Sequence, residues 1–133
     1  MKSGNTREKT PLSRTGVSVC PAGKSYPLPK ESDYAGEFQK LRATVKRQRE
    51  MGREIVVVMG VGFVGAVMAG VVADTVDAQT GKPGKFVIGM QRPSPRSFWK
   101  IAYLNEGLAP VEAEDPEVAP LIYRCVMEKK TLT

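Results

Sequence analysis

The chain has 133 residues, 41% of them hydrophobic and 26% charged, so it can form one domain with a modest core and is too apolar for wholesale disorder. It contains no histidine, which excludes Ser-His-Asp and Cys-His catalysis and any histidine metal site. The net charge of +6 arises in the first part of the chain, because residues 1–53 hold twelve Lys/Arg against five Asp/Glu and the remainder holds eight against nine.

The cysteines and the N-terminus indicate the compartment. Cys20 and Cys125 lie far apart and form no C-x-x-C pair, which argues against a disulfide framework or a zinc site. The first residues are polar, and no apolar segment of the kind found in secretory signals follows them. We therefore expect a cytoplasmic protein in a reducing environment.

The first two predicted segments are an arm and a helix. Residues 1–31 are rich in Pro, Ser and Lys and predict an extended arm, since four prolines interrupt any regular element. Residues 32–53 predict an amphipathic helix with Ser32 or Asp33 as N-cap and Gly52 as the stop. Apolar residues recur at helical spacing on one face of this helix: Tyr34, Phe38, Leu41 and Val45.

The other face of the predicted helix is basic. It carries Lys40, Arg42, Lys46, Arg47 and Arg49. Such a face can contact nucleic acid or acidic lipid, but it is more commonly a solvated surface. We therefore do not expect nucleic acid as a partner.

The remainder of the chain predicts an α/β fold. Residues 54–59 (EIVVVM) are dense in β-branched side chains, as in a strand that is buried on both faces of a parallel sheet. The later elements are a helix at 65–78, a loop at 79–85, a strand at 86–90 (FVIGM) and helices at about 97–107 and 116–129.

A glycine motif lies between the first strand and the helix after it: Gly60-Val61-Gly62-Phe63-Val64-Gly65, or G-x-G-x-x-G. Gly60 permits a tight turn, Gly62 lets the backbone approach a pyrophosphate, and Gly65 lets the helix pack closely on the strand. The helix N-terminus offers unpaired N–H groups and partial positive charge to the phosphates. Since a strand, a helix and a second strand surround the motif, residues 54–133 predict a partial Rossmann-like βαβ dinucleotide-binding unit.

The second strand departs from the usual NAD pattern at its end. An Asp or Glu commonly stands there and hydrogen-bonds the ribose hydroxyls. This chain instead has Gln91 and Arg92, with Arg96 further on. Gln91 can still bond a hydroxyl, and the arginines either attract a 2′-phosphate or lie on an exposed loop. We predict that residues 60–65, Gln91 and Arg92 bind NAD, with NADP as the alternative, and we assign no catalytic or metal-binding residue.

The same uncharged run, residues 55–73, also approaches the length of a membrane span. Small residues recur in it at Gly62, Ala66 and Gly70, as in packed membrane helices. However, its glycines lower its hydrophobicity, and a single-pass anchor has no use for the strand at 86–90. We therefore favour the phosphate turn and expect no membrane association.

Three segments occur in an order and spacing seen in one enzyme family. Residues 58–65 are similar to V-I-G-x-G-Y/F-V-G, residues 86–91 to V-I-G-x-D, and residues 100–107 (KIAYLNEG) to K-V-x-x-L-N-x-G, with a Pro- and Glu-containing loop at 110–116. In these features about half the chain, residues 55–121, resembles the N-terminal domain of UDP-glucose/GDP-mannose (nucleotide-sugar) dehydrogenases.

The resemblance implies oxidation of a sugar C6 alcohol to a carboxylate with two NAD molecules in succession. It also implies a homo-oligomeric enzyme of polysaccharide biosynthesis and a catalytic cysteine in a G-G-x-C context, with an assisting lysine and aspartate, in later domains. Neither Cys20 nor Cys125 has that context. By the same resemblance, the loop near Glu112 and Glu114 would face the nicotinamide or the substrate domain.

The chain ends about where a third parallel strand should begin. We therefore expect it to be the truncated NAD(P)-binding portion of a nucleotide-sugar 6-dehydrogenase, not catalytic alone, whose full-length form takes a UDP- or GDP-sugar. The alternative is a non-catalytic βαβ module that binds another nucleotide or a protein partner.

Overall fold

A computed structural model describes residues 16–133, so the first 15 residues of the predicted arm lie outside the described part. The predicted α/β class is confirmed: short strands alternate with helices, and one strand pair is parallel. In chain order the elements are β1 (Val17–Val19), β2 (Ser25–Pro27), α1 (Glu31–Glu50), β3 (Glu54–Met59), α2 (Phe63–Ala73), β4 (Lys85–Met90), α3 (Trp99–Asn105), α4 (Val118–Tyr123) and a π-helical turn (Arg124–Glu128).

The parallel sheet is built around β4. β3 pairs with β4 along its whole length, starting with Glu54 opposite Lys85, whose side chains form an ion pair of 2.7 Å. On the other side of β4, Leu132 forms a parallel bridge with Val87, and the Thr133 N–H donates to the Val87 carbonyl at 3.0 Å. β4 is therefore flanked by chain on both sides, and its central residues are buried.

β3 is more exposed than its sequence predicts. Val57 and Met59 are 49% and 77% exposed, so the prediction of a strand buried on both faces is wrong. β4 covers one edge of β3, and no strand pairs with its other edge in the described part of the chain. The β-branched composition therefore predicts the strand correctly but not its position in the sheet.

α2 packs against β4 and α4 through small side chains. Ala69 and Ala73 are fully buried, and a Cβ at Gly70 would meet Leu121 and Ile122 at 3.0–3.1 Å. The helix ends at Ala73, five residues before the predicted end. The chain turns away there because the next residues satisfy their hydrogen bonds locally, in turns built on Thr75 and Asp77.

Residues 17–27 form an antiparallel hairpin, where the sequence predicts an arm without regular structure. That expectation is wrong for residues 17–27, because Pro27 is the last residue of β2 and the ladder continues past it through the Leu28 N–H, which donates to the Gly16 carbonyl at 2.8 Å. Pro21 lies in the turn, which closes through a bond from the Gly23 N–H to the Cys20 carbonyl at 2.9 Å. Gly23 has φ +86°, a conformation that favours glycine.

α1 forms as predicted except at its N-cap, which is Lys30 instead of Ser32 or Asp33, and its apolar stripe is only partly covered. The helix begins at Glu31, where the Asp33 carboxylate accepts the Lys30 N–H at 2.8 Å, and Gly52 stops it with φ +81°. Tyr34 and Phe38 are 48% and 60% exposed, and every residue of the first half of the helix, 31–40, is exposed.

The apolar run at residues 55–73 divides between β3 and α2. α2 has 11 residues. Within residues 16–133, no helix combines the length and apolar character that a membrane crossing requires.

Candidate functional site

The glycine turn connects β3 to α2 and is tied to the end of β4. Gly60 has φ +92°, which an L side chain rarely adopts, and its N–H donates to the Met90 carbonyl at 2.7 Å. The turn therefore lies at the carboxyl ends of two adjacent parallel strands, where ligands of open α/β sheets generally bind.

Gly65 and Gly62 play different parts in this turn. A Cβ at Gly65 would lie 1.7 Å from the Gly60 carbonyl oxygen, so α2 can approach β3 this closely only with glycine there. Among the described residues, a Cβ at Gly62 would have a single neighbour within 4 Å, the Lys100 ammonium at 3.9 Å. The space over Gly62 is thus open to a ligand, and a cation stands beside it.

The N-terminus of α2 faces this open space. Gly62 is the N-cap, and no side chain of residues 16–133 caps the helix. The first N–H groups of any helix lack partners within the helix and carry partial positive charge. Together with Lys100, they make the turn suitable for a phosphate oxygen.

Gln91 connects the end of β4 to the glycine turn. Its Oε1 accepts the Val61 N–H at 3.0 Å, while the Val61 side chain is fully buried in the core. Sequence reasoning assigns Gln91 to the ribose and misses this internal bond. The bond orients the carboxamide, and its Nε2 donors make no hydrogen bond with the described residues.

A pocket of about 510 Å³ lies beside this carboxamide. Its lining consists of Met59, Gly60, Met90, Gln91 and Arg92. The structure thus brings together three of the predicted site residues, a glycine, the carboxamide and the Arg92 guanidinium, with methionine side chains that can pack on an aromatic base.

The remaining predicted residues, Phe63 and Val64, lie on the outer face of α2. They are 61% and 68% exposed and line a groove of about 830 Å³ with Glu112, Glu114 and the apolar side of the helix. The acidic loop and the glycine motif therefore meet at this groove, whose lining does not include Lys100.

A basic segment, called the basic loop below, follows the pocket and includes the first two residues of α3. Residues 91–100 contain Arg92, Arg96 and Lys100 and no Asp or Glu. The hairpin holds this loop, because Ser18 Oγ donates to the Pro95 carbonyl at 2.8 Å and accepts the Trp99 N–H at 3.0 Å. The sequence does not predict Lys100 as a site residue, although it is the first residue of the KIAYLNEG segment.

The two cysteines lie away from the turn. Cys125 is fully buried, and burial raises the pKa of its thiol, which argues against a nucleophile. The Tyr103 side chain lowers the pKa of the Cys20 thiol, and the thiol raises the pKa of Tyr103 to about 12.

Asp74 forms an ion-pair cluster with two cationic side chains. Its carboxylate accepts from Arg124 at 2.9 Å and from Lys129 at 2.8 Å, and these cations hold the pKa of Asp74 well below its usual range. The cluster joins α2 to the π-helical turn, so its role is structural.

Turn, pocket and basic loop thus meet at one edge of the parallel sheet. Among residues 16–133 no three acidic or thiol side chains come together as a metal site would require. No protein-family model, curated protein or solved structure significantly matches the chain.

Proposed function

We propose that this chain is the NAD(P)-binding portion of a nucleotide-sugar 6-dehydrogenase and is not catalytic alone. One observation carries the proposal: the Gly60–Gly65 turn opens onto a free helix N-terminus at the carboxyl ends of two adjacent parallel strands. A partial Rossmann-like βαβ unit binds a dinucleotide at this place. The similarity of residues 55–121 to nucleotide-sugar dehydrogenases supplies the reaction, oxidation of a sugar C6 alcohol to a carboxylate.

In this proposal each part of the site holds one part of the dinucleotide. The pyrophosphate lies over Gly62, because no Cβ stands in its way there, and receives hydrogen bonds from the first N–H groups of α2. The Lys100 ammonium balances its charge. The adenosine ribose enters the pocket beside Gln91 and Arg92, and the nicotinamide extends towards Phe63.

The chain's residues bind and orient the dinucleotide, which supplies the hydride acceptor when bound. The apolar groove beside Phe63 and Val64 would limit the access of water to the nicotinamide. A homo-oligomeric full-length enzyme would bring the nucleotide sugar and the catalytic cysteine to this side of the turn.

The proposal is tested by titrating the purified chain with NAD+, NADH and NADPH, followed by calorimetry and by Trp99 fluorescence. Trp99 is a suitable reporter because the Lys100 ammonium lies 5.8 Å from the centroid of its ring. Saturable binding is expected, and Gly62→Ala should weaken it about tenfold or more, since the new methyl group occupies the phosphate position. Absence of any dinucleotide binding by a chain that circular dichroism shows to be folded would overturn the proposal.

A non-catalytic nucleotide- or partner-binding module is the second candidate. The exposed apolar face of α2 favours it, because Phe63, Val64 and Met68 are all more than half exposed. A G-G-x-C segment downstream in the same reading frame would favour the dehydrogenase, and its absence would favour the module.

A further inference from the structure

We infer that the site selects a dinucleotide whose adenosine ribose carries a 2′-phosphate, so that NADP(H) binds in preference to NAD(H). This inference rests on the proposed function, because it concerns which dinucleotide occupies the same turn and pocket. It departs from the NAD use that the resemblance implies.

The first argument is the uncharged side chain at the end of β4. A carboxylate there accepts hydrogen bonds from both ribose hydroxyls and repels a phosphate. Gln91 carries no charge, and its Oε1 already accepts the Val61 N–H at 3.0 Å. What it presents to the pocket is an amide N–H2, which donates to a phosphate oxygen and suits a phosphorylated ribose.

The second argument is the charge of the loop that borders the pocket. Residues 91–100 carry Arg92, Arg96 and Lys100 without an acidic residue. Arg92 lines the pocket directly and is exposed. A phosphate monoester carries about −1.5 to −2 charge near neutral pH, and guanidinium binds it through two parallel hydrogen bonds.

The acidic residues nearest to the glycine turn lie outside the pocket beside Gln91. Glu112 and Glu114 line the groove on the outer face of α2, which does not include Gln91 or Arg92. Glu54 stands at the opposite end of β3, where it pairs with Lys85 at 2.7 Å. Among residues 16–133, therefore, no carboxylate lines the pocket to oppose a second phosphate.

The third argument is that hydrogen bonds within the protein hold the loop. Ser18 Oγ bonds the Pro95 carbonyl and the Trp99 N–H, and the Trp99 indole N–H donates to the Arg96 carbonyl at 2.9 Å. Ser94 and Ser97 share a hydroxyl bond of 2.7 Å across the same loop. Since the backbone is fixed from several sides, little ordering entropy is lost when a phosphate binds.

The experiment compares NADP+ with NAD+, and 2′,5′-ADP with ADP, by calorimetry on the whole chain. We expect each 2′-phosphorylated ligand to bind about tenfold to a hundredfold more tightly than its counterpart, as for charge-assisted hydrogen bonds. Arg92→Ala should remove most of this preference, because it should lower the affinity for each 2′-phosphorylated ligand far more than the affinity for its counterpart. Gln91→Glu should reverse it, because a carboxylate bonds the ribose hydroxyls and repels the phosphate.

The matched control is Arg42→Ala, which removes an exposed arginine of α1 that lies outside the pocket. It should leave both affinities unchanged, and an equal loss in this variant would attribute the preference to net charge and overturn the inference. Equal or tighter binding of NAD+ would also overturn it and leave the proposed function standing. A folded chain that binds neither dinucleotide would remove the proposed function, and the preference with it.

Discussion

Replacing Gly65 with alanine puts a methyl group where α2 and β3 leave no room. Its Cβ would lie 1.7 Å from the Gly60 carbonyl oxygen and 2.9 Å from the carbonyl carbon. Both are backbone atoms, so no change of rotamer relieves the overlap and the first turn of α2 must move away from the strand. Overpacking typically costs about 1–3 kcal/mol, and we expect the upper end of this range, about 3 kcal/mol, because backbone has to shift. Such a loss is a large part of the total stability of an ordinary domain, about 5–15 kcal/mol.

The assay is urea denaturation followed by far-UV circular dichroism. Gly36→Ala is the matched control, because Gly36 lies in α1 with no atom within 4 Å of its added Cβ. That variant should gain about 0.5–1 kcal/mol, since alanine is the better helix former. Gly62→Ala should cost less, about 1 kcal/mol, because alanine is a poorer N-cap than glycine and the flexible Lys100 ammonium is the only described atom near the new methyl group. An unchanged urea midpoint for Gly65→Ala would refute the close approach of α2 to the turn.

Three further predictions concern side-chain contacts. Asp74→Asn should lower the free energy of unfolding at pH 7 by about 2 kcal/mol, measured by urea denaturation. Because its two cationic partners depress the pKa of Asp74 from 3.8, the wild type should lose this advantage as the pH falls below that value, and parallel pH profiles would contradict the ion pairing. Ser18→Ala should cost about 1–3 kcal/mol by leaving two loop backbone groups unpartnered, whereas the exposed Ser25→Ala should cost nothing measurable. In an absorbance titration, Cys20→Ala should bring the pKa of Tyr103 from about 12 towards its ordinary value, and a late-titrating tyrosine that persists would contradict the influence of Cys20 on Tyr103.

The strands and helices after residue 31 follow from local patterns, and the structure contains each of them. β3 and β4 are dense in branched apolar residues, and α1 has helical periodicity and a glycine stop. Burial depends on neighbours that are distant in sequence, which is why Val57 and Phe38 are exposed against expectation. Propensity predicts what an element is, and tertiary contacts decide what covers it.

The candidate site divides in the same way. The glycine spacing predicts the turn, because the backbone geometry of the turn requires glycine at positions 60 and 65. The bond from Val61 to Gln91 and the position of Lys100 could not be predicted, since they join residues about 30–40 positions apart through three-dimensional packing. The Pro-Ala-Gly sequence in the hairpin at 17–27 is typical of a turn between two strands, but the four prolines of residues 1–31 favour an arm without regular structure.

The reactivity of the two buried thiols can report local opening of the structure around each of them. Cys20 is 4% exposed where the hairpin meets α3, and Cys125 is fully buried between α2 and the π-helical turn. A thiol reagent can modify each one only when that part of the structure separates, so its labelling rate measures a local opening equilibrium. Faster modification of Cys20 than of Cys125 would mean that the hairpin undocks as an independent unit, and that the basic loop is released while the core stays closed.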